Sequence, residues 1–441
     1  MVNVQEFILF CKNLQIHERK LPFKMVMIKG SAAKALCLAV IASLSLGLSG
    51  CNSASANFDP VSGSEAAAAP NLPIVHLSPL DRLSSIALAE DGVFVLENLY
   101  ADSQNILYID AKTKQEVFLC SSPGCSHDTE ACPSFLSAKG GYGYQIACYQ
   151  NHLFLFQNAS ADGTAPFVMQ LDINGENPQT ICTLQSGEAF SGKVFGYGDS
   201  LLIEIAKADG STNSTRLEKI NCTTGARETL FQYPQDAYYS AMTSIENDLV
   251  YISIANDKYQ YFKVDPAINN LSLSDCRQNS PLGPTFDNSN LSCSVQDPYL
   301  CSIDYTNQQI TAENLMDDQV IHFAWPKEED WGNVLGLNHL LEDRFALMAE
   351  DSHGDWHTYV LDAETGTPSG LDLFGTKMQP RKLICRFNNE VLYLSRIETR
   401  TLLRQSENGL SGETCYVNIY GFMSDRDYLS GAPGQEVAFP M

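Results

Sequence analysis

An all-β chain wound into a β-propeller of about seven blades, with six and eight also open, is the fold class this 441-residue sequence predicts. Three observations predict it. The first is Val360–Gly366 (V-L-D-A-E-T-G), an apolar strand end running into Asp and a polar turn. Weaker copies recur at Ile109-Asp110, Leu171-Asp172, Ile220-Asn221, Val264-Asp265 and Ile303-Asp304. Successive Asp or Asn positions lie 62, 49, 44, 39 and 58 residues apart, bracketing the roughly 40–50 residue period of four-stranded blades. The second is the scarcity of helical periodicity beside many short aromatic and β-branched runs bounded by Gly, Asn and Asp. The third is that residues 76–441 contain no stretch that reads as a domain linker. A length that would otherwise suggest two or three domains then fits one body whose repeats close on themselves.

Each repeat is expected to open with a polar turn and an alternating strand. Asp91-Gly92 precedes Val93–Leu96, Asn151-His152 precedes Leu153–Phe156, and Gly198–Ser200 precedes Leu201–Ile205. Asn247-Asp248 before Leu249–Ile254, Asp343-Arg344 before Phe345–Met348, and Asn388–Glu390 before Val391–Leu394 continue the series. A strand ending in Asp or Asn follows, then a turn, then a third strand such as Glu116–Leu119, Gln179–Leu184 or Thr229–Gln232. Strands this uniformly apolar need neighbours on both faces, so the units must stack. The recurring Asp and Asn have a structural account: the side chain accepts from turn N–H groups two residues on, and Gly at the next corner supplies a positive φ. The spacing lacks the Asp/Asn/Gly run of a calcium loop. In the last unit Thr414–Phe422 reads as the second strand and Glu436–Phe439 as another. Ring closure is expected to pair a strand from Ile74–Leu88 with the C-terminal blade, removing an exposed edge.

Residues 1–50 read as a leader. Ala35–Gly50 is apolar or small throughout, behind Lys24, Lys29 and Lys34, as in a secretory signal. The first 24 residues suit neither a signal nor a domain, and Met25 or Met27 would give an n-region of ordinary length. Residues 51–75 read as a flexible tether rich in Ala, Ser, Asn, Gly and Pro. Leu48-Ser49-Gly50-Cys51 resembles the lipobox of bacterial lipoproteins at every position. That resemblance implies lipidation at Cys51 and a body held on the extracytoplasmic face of the cell membrane by its lipid.

Charge narrows the partners. Without residues 1–50 the chain keeps 22 basic and 50 acidic residues, a net −28. Such a surface repels phosphate backbones and anionic headgroups, which disfavours nucleic acid. Solubility accounts for the acidity more simply than cation binding.

Fourteen cysteines are present, and eleven remain after Cys11, Cys37 and Cys51 are set aside. The stretch Cys120–Cys132 gives C-x4-C-x-H-x4-C, and Cys120, Cys125, His127 and Cys132 form a compact Cys3His set that suits tetrahedral zinc. Outside the membrane, close thiols also oxidise. Disulfides among Cys120, Cys125, Cys132 and Cys148, worth about 3 kcal/mol in the loop-entropy account, and free thiols therefore stay open beside zinc. A zinc with all four places filled would be structural. Cys182, Cys222, Cys276, Cys293, Cys301, Cys385 and Cys415 lie mostly beside apolar strand residues and read as small buried hydrophobes, with Cys293 and Cys301 the other nearby pair. The 120–132 insertion also resembles one found after the first blade of uncharacterised propeller lipoproteins of Gram-positive bacteria, where it implies no activity.

Catalytic signatures are thin. His353-Gly354-Asp355-Trp356-His357 reads as a hairpin tip more readily than a metal site, and His76, His152, His322 and His339 stand alone. No nucleophile elbow, phosphate loop or dinucleotide fingerprint is found. Val360–Gly366 resembles the repeat of quinoprotein-type propellers, which also occur in non-catalytic lipoproteins that scaffold outer-membrane assembly. Thr367–Leu371 stands where that family has its docking Trp, so the resemblance implies the fold and no quinone. The expected role is a membrane-anchored binding or scaffolding module for an envelope protein, peptide or glycan. The alternative is a glycoside hydrolase or polysaccharide lyase with carboxylates converging in the channel.

Overall fold

The computed structural model describes residues 72–440 apart from internal stretches, the longest being 273–290, 373–381 and 326–332. The leader, Cys51 and most of the tether fall outside the described residues, as do Cys276 and residues 351–355 of the expected hairpin tip. No helix among the described residues is long and apolar enough to cross a membrane.

The described strands form seven antiparallel sheets arranged as a β-propeller. In chain order the first holds β2 (Ile86–Leu88), β3 (Gly92–Tyr100), β4 (Ser103–Asp110) and β5 (Gln115–Phe118), with β6 (Phe135–Ser137) also on β4. The second holds β7 (Tyr144–Tyr149), β8 (His152–Gln157), β9 (Phe167–Asp172) and β10 (Gln179–Thr183). The third holds β11 (Glu188–Tyr197), β12 (Ser200–Asp209), β13 (Thr212–Asn221) and β14 (Arg227–Gln232), joined at β11 by β1 (Val75–His76). Four more follow: β15 (Tyr239–Ile245) to β18 (Asn270–Ser272), β19 (Leu291–Gln296) to β22 (Val320–Phe323), β23 (Asn333–Leu341) to β26 (Pro368–Asp372), and the last sheet. That last sheet contains β27 (Lys382–Phe387), β28 (Glu390–Ser406), β29 (Gly409–Ser424) and β30 (Gln435–Glu436), with the short helix α1 (Asp425–Leu429) between β29 and β30. First strands of successive sheets touch one another, β11 with β15, β15 with β19, and β19 with β23.

The strands are apolar on both faces because each sheet lies between two others. Phe154, Leu155 and Phe156 of β8 are all buried, as are Leu201, Leu202 and Ile203 of β12. One apolar cluster joins the second and third sheets through Phe154, Phe156, Leu201 and Ile203, and another joins the third and fourth through Phe195, Leu202 and Tyr251.

Two expectations are corrected. The strands read as opening each repeat are second strands: Asp91-Gly92 and Asn151-His152 lead into the second strands of their sheets, and the first strand precedes them. Short first strands such as β2, three residues long, carry too little pattern to be read alone. By the same shift, Thr414–Phe422 belongs to the third strand of the last sheet and Glu436 to the fourth. The second correction concerns closure. Among the described residues of Ile74–Leu88 no strand pairs with the seventh sheet; β1 pairs with β11 and β2 with β3. Face packing takes the place of strand exchange: Val93, Val95, Leu107 and Ile109 of the first sheet share one cluster with Leu392, Val417, Ile419 and Phe422 of the seventh. The hairpin of β28 and β29, 17 and 16 residues long, provides this cover.

The recurring turns form as expected at four copies. Asp110 Oδ1 accepts from the N–H groups of Lys112 (2.9 Å) and Thr113 (2.6 Å), and Asp362 Oδ1 from Glu364 (2.8 Å) and Thr365 (3.0 Å). Asn221 and Asp304 do the same toward Thr223-Thr224 and Thr306-Asn307. The Thr113 N–H holds the Asp110 carboxyl below the ordinary range, as the Thr365 N–H does Asp362. Asp172 departs from the pattern, its carboxylate instead accepting from Asn177 Nδ2 at 2.6 Å. The corner after each turn has positive φ: Gly225 (+68°) and Gly366 (+64°) in two copies, but Lys114 (+57°) and Gln308 (+51°) in two others. A Cβ costs energy there. Gln308→Gly is expected to raise the unfolding free energy by about 0.5–1 kcal/mol, read as a higher urea midpoint at unchanged slope.

Candidate metal centre

β4 offers one edge to two partners. β5 covers its second half, with Leu107 opposite Phe118, and β6 covers its first half, with Asn105 opposite Phe135. The chain between, 119–134, is therefore an excursion from a single outer-strand position, and it carries the Cys/His set. Short turn bonds shape it: Cys125 N–H to Ser122 O (3.3 Å), Cys132 N–H to Thr129 O (3.0 Å) and Phe135 N–H to Cys132 O (3.0 Å).

The metal-binding atoms of Cys120, Cys125, His127 and Cys132 all lie within 4.8 Å of one another. His127 Nδ1 is 3.3 Å from Cys132 Sγ. A tetrahedral zinc with bonds of about 2.3 Å to sulfur sets its donors about 3.7 Å apart, so the set is slightly wider than a loaded site. Soft thiolates with one imidazole match zinc by donor chemistry. Burial lowers the His127 pKa, favouring the neutral imidazole that ligation requires. Burial pushes the Cys132 thiol up to about 11. At Cys120 burial acts the same way, but the Ser122 N–H and the neighbouring thiols outweigh it and hold the group below its usual value.

The supporting residues were not visible in the spacing. His127 has φ +57°, a left-handed conformation uncommon for a side-chain-bearing residue. Asn105, fully buried on β4, fixes it by donating Nδ2 to His127 O (2.8 Å) and to Ser134 Oγ (3.1 Å). Phe118 stacks on the His127 ring, centroids 4.2 Å apart and planes 13° from parallel. The only sequence signal for these was an apolar residue two places before Cys120.

Cys148 does not join the set. It lies on β7 among Phe94, Ile106 and Leu153 between the first and second sheets, where burial raises its pKa to about 11. None of the ten described cysteines is in a disulfide. Cys182, Cys301, Cys385 and Cys415 are buried as expected of small hydrophobes, and Cys293 sits beside Cys301 on paired strands, opposite Ser302. His357 stands on β25 (Trp356–Asp362), which pairs with β24 (Arg344–Glu350), so the expected hairpin flanks are present.

A polar cavity of about 450 Å³ is lined by Gln185, Glu188, Lys207, Arg216, Glu218 and Arg227, among others. Its two carboxylates are clasped: Arg216 bonds Glu188 and Glu218 at 2.6 Å each, and Arg227 bonds them at 3.2 and 2.7 Å. Burial opposes ionisation of Glu188, yet the Gln185 N–H and Arg216 keep it below the ordinary range. This ring supplies charge-paired acceptors, unlike the acid of raised pKa beside an ionised partner that glycoside hydrolysis uses.

No protein-family model matches the sequence, and no curated protein matches it. Similarity is found to solved structures. One, from a study of two prolyl endopeptidases, is 9% identical with a TM-score of 0.46, covering 79% of this chain and 55% of that one. The oligogalacturonate lyase of Vibrio parahaemolyticus is 13% identical with a TM-score of 0.43, covering 74% and 89%. TolB from Acinetobacter baumannii is 11% identical with a TM-score of 0.33, covering 80% of each. The chain thus spans little over half of the prolyl endopeptidase, and likeness at these identities concerns the fold alone.

Proposed function

We propose that the chain is an extracytoplasmic lipoprotein whose propeller serves as a binding or scaffolding module for an envelope protein, peptide or glycan, with a structural zinc at Cys120, Cys125, His127 and Cys132. The closed donor set carries this reading. Four protein ligands leave the ion no open position for water or substrate, which is the pattern of structural sites. The paired carboxylates of the cavity, held by Arg216 and Arg227, likewise favour binding over turnover. The lipobox at Leu48–Cys51 supports the membrane anchorage, and the acidic surface supports a partner other than nucleic acid.

Two measurements test it. Mass spectrometry of the chain expressed in a lipoprotein-processing bacterium should find a diacylglyceryl group on Cys51, and Cys51→Ala should move the protein from the membrane fraction to the soluble one. An unmodified Cys51 with unchanged partitioning would refute the anchorage. Metal analysis of protein kept reduced should give one zinc per chain, lost in Cys125→Ser, whereas metal-free protein whose thiols react only after a reductant is added would establish the disulfide instead.

A further inference from the structure

Resting on the zinc reading, we propose that the metal centre is the clasp of the ring: its occupancy fastens the first sheet to the seventh. Propellers that close by strand exchange lock their ends with a ladder of backbone hydrogen bonds, but here, among the described residues, the seventh sheet is built from strands within 382–436. The junction therefore depends on side chains. Its apolar part is the cluster of Val93, Val95, Leu392 and Val417 with their neighbours. Its polar part comprises Arg404 on Asp102 (2.8 Å), Lys114 on Glu390 and over the Phe422 ring (3.9 Å), and Asn418 and Tyr420 on Glu97 (2.9 and 3.1 Å).

The metal centre touches this junction through one aromatic relay. Phe118 closes β5 two residues before Cys120, and one face of its ring lies on the His127 imidazole. Its ring also meets Phe439 at 6.2 Å and 81°, an edge-on contact. Phe439, three residues beyond β30, in turn lies under the Arg400 guanidinium of β28 at 5.0 Å. The imidazole is thus the wall against which Phe118 is packed, and Phe118 in turn bears on Phe439. An ion joining His127 to three thiols fixes that wall and ties down the 119–134 excursion, whose ordering otherwise costs loop entropy. Linkage makes the effect reciprocal: if zinc tightens the junction, then loosening the junction on the seventh-sheet side must weaken zinc. Phe439 is no ligand, so this reciprocity separates a clasp from a metal that stabilises only its own loop.

The test uses the full chain under reducing conditions. Zinc affinity is measured by competition with a chromophoric chelator for the native protein, for Phe439→Ala and for Phe118→Leu, which keeps apolar volume but removes the stack. Hydrogen exchange is followed with and without zinc. The expected result is about tenfold weaker zinc binding in both variants, together with zinc-dependent protection of 390–404, 415–422 and 435–440 in addition to 119–134. Unchanged affinity with protection confined to 119–134 overturns the clasp and leaves the zinc reading standing. Absence of zinc binding in the native chain removes the zinc reading itself. If Phe439→Ala does not fold, Phe118→Leu and the native exchange pattern decide between the same outcomes.

Discussion

Gly192→Ala is expected to destabilise the third sheet by about 4 kcal/mol or more, against about 1 kcal/mol for Gly124→Ala. Both glycines have positive φ, +67° and +71°, so the backbone penalty is shared. They differ in what a Cβ meets: nothing within 4 Å at Gly124, but Glu204 Oε2 at Gly192. Glu204 is buried on β12, accepting from the Lys193 N–H (3.1 Å) and from the Tyr233 hydroxyl, and burial pushes its pKa up to about 7. The carboxyl has nowhere to retreat without abandoning those donors, and an unpartnered buried carboxyl is costly. Gly192 also lies in the irregularity of the β11–β12 ladder between Ser191 and Val194, where the main chain turns the Lys193 N–H toward that carboxyl. Urea unfolding of the two variants decides the matter, and equal midpoints would show that Glu204 yields freely.

The second large effect is on pH dependence at the junction of the first and seventh sheets. Burial pushes Glu97 up to about 7 despite hydrogen bonds from Asn418 and Tyr420. Burial, and then the charge of Glu97, push Glu116 up to about 9, and neither Glu116 oxygen has a hydrogen-bond partner in the described structure. In the unfolded chain both groups ionise near pH 4.3. Above that value the unfolded state has released protons that the folded state still holds, so stability falls as pH rises. The contribution is complete below the ordinary carboxylate range and is lost toward pH 7 for Glu97 and pH 9 for Glu116. Glu116→Met removes the orphaned carboxyl while keeping volume. Its stability advantage over the native chain should be small at pH 5 and grow to about 3 kcal/mol at pH 9. Taking the difference between the two proteins cancels titrating groups that do not interact with Glu116, and an advantage that stayed flat with pH would contradict the assignment.

What could be read from the sequence was local. The Asp110, Asn221, Asp304 and Asp362 turns are set within four residues, so their pattern survives in one dimension. The Cys120–Cys132 set was equally legible because all its donors lie on one short excursion. The same reading grouped Cys148 with them as a candidate disulfide partner, whereas β7 carries it in the second sheet. Ring closure was illegible for the opposite reason: Glu97 meets Asn418 across 321 positions, and nothing in either segment announces the other. Phe118 and Phe439 are ordinary aromatic residues until the last sheet folds back on the first. Lys114 and Gln308 concealed two corners, since a left-handed turn signals itself through glycine and these copies do without it.

Among the described residues, Val75 and His76 meet β11 through two residue pairs, opposite Gly196 and Phe195, with Leu77 adding a bond from its N–H to Val194 O at 3.0 Å. Tension applied along the N-terminal segment is borne first by this brief ladder on the third sheet. Mechanical load and opening of the ring are therefore separate failure routes: a tug on that end peels away a two-residue strip before any force reaches the junction where the wheel begins and ends.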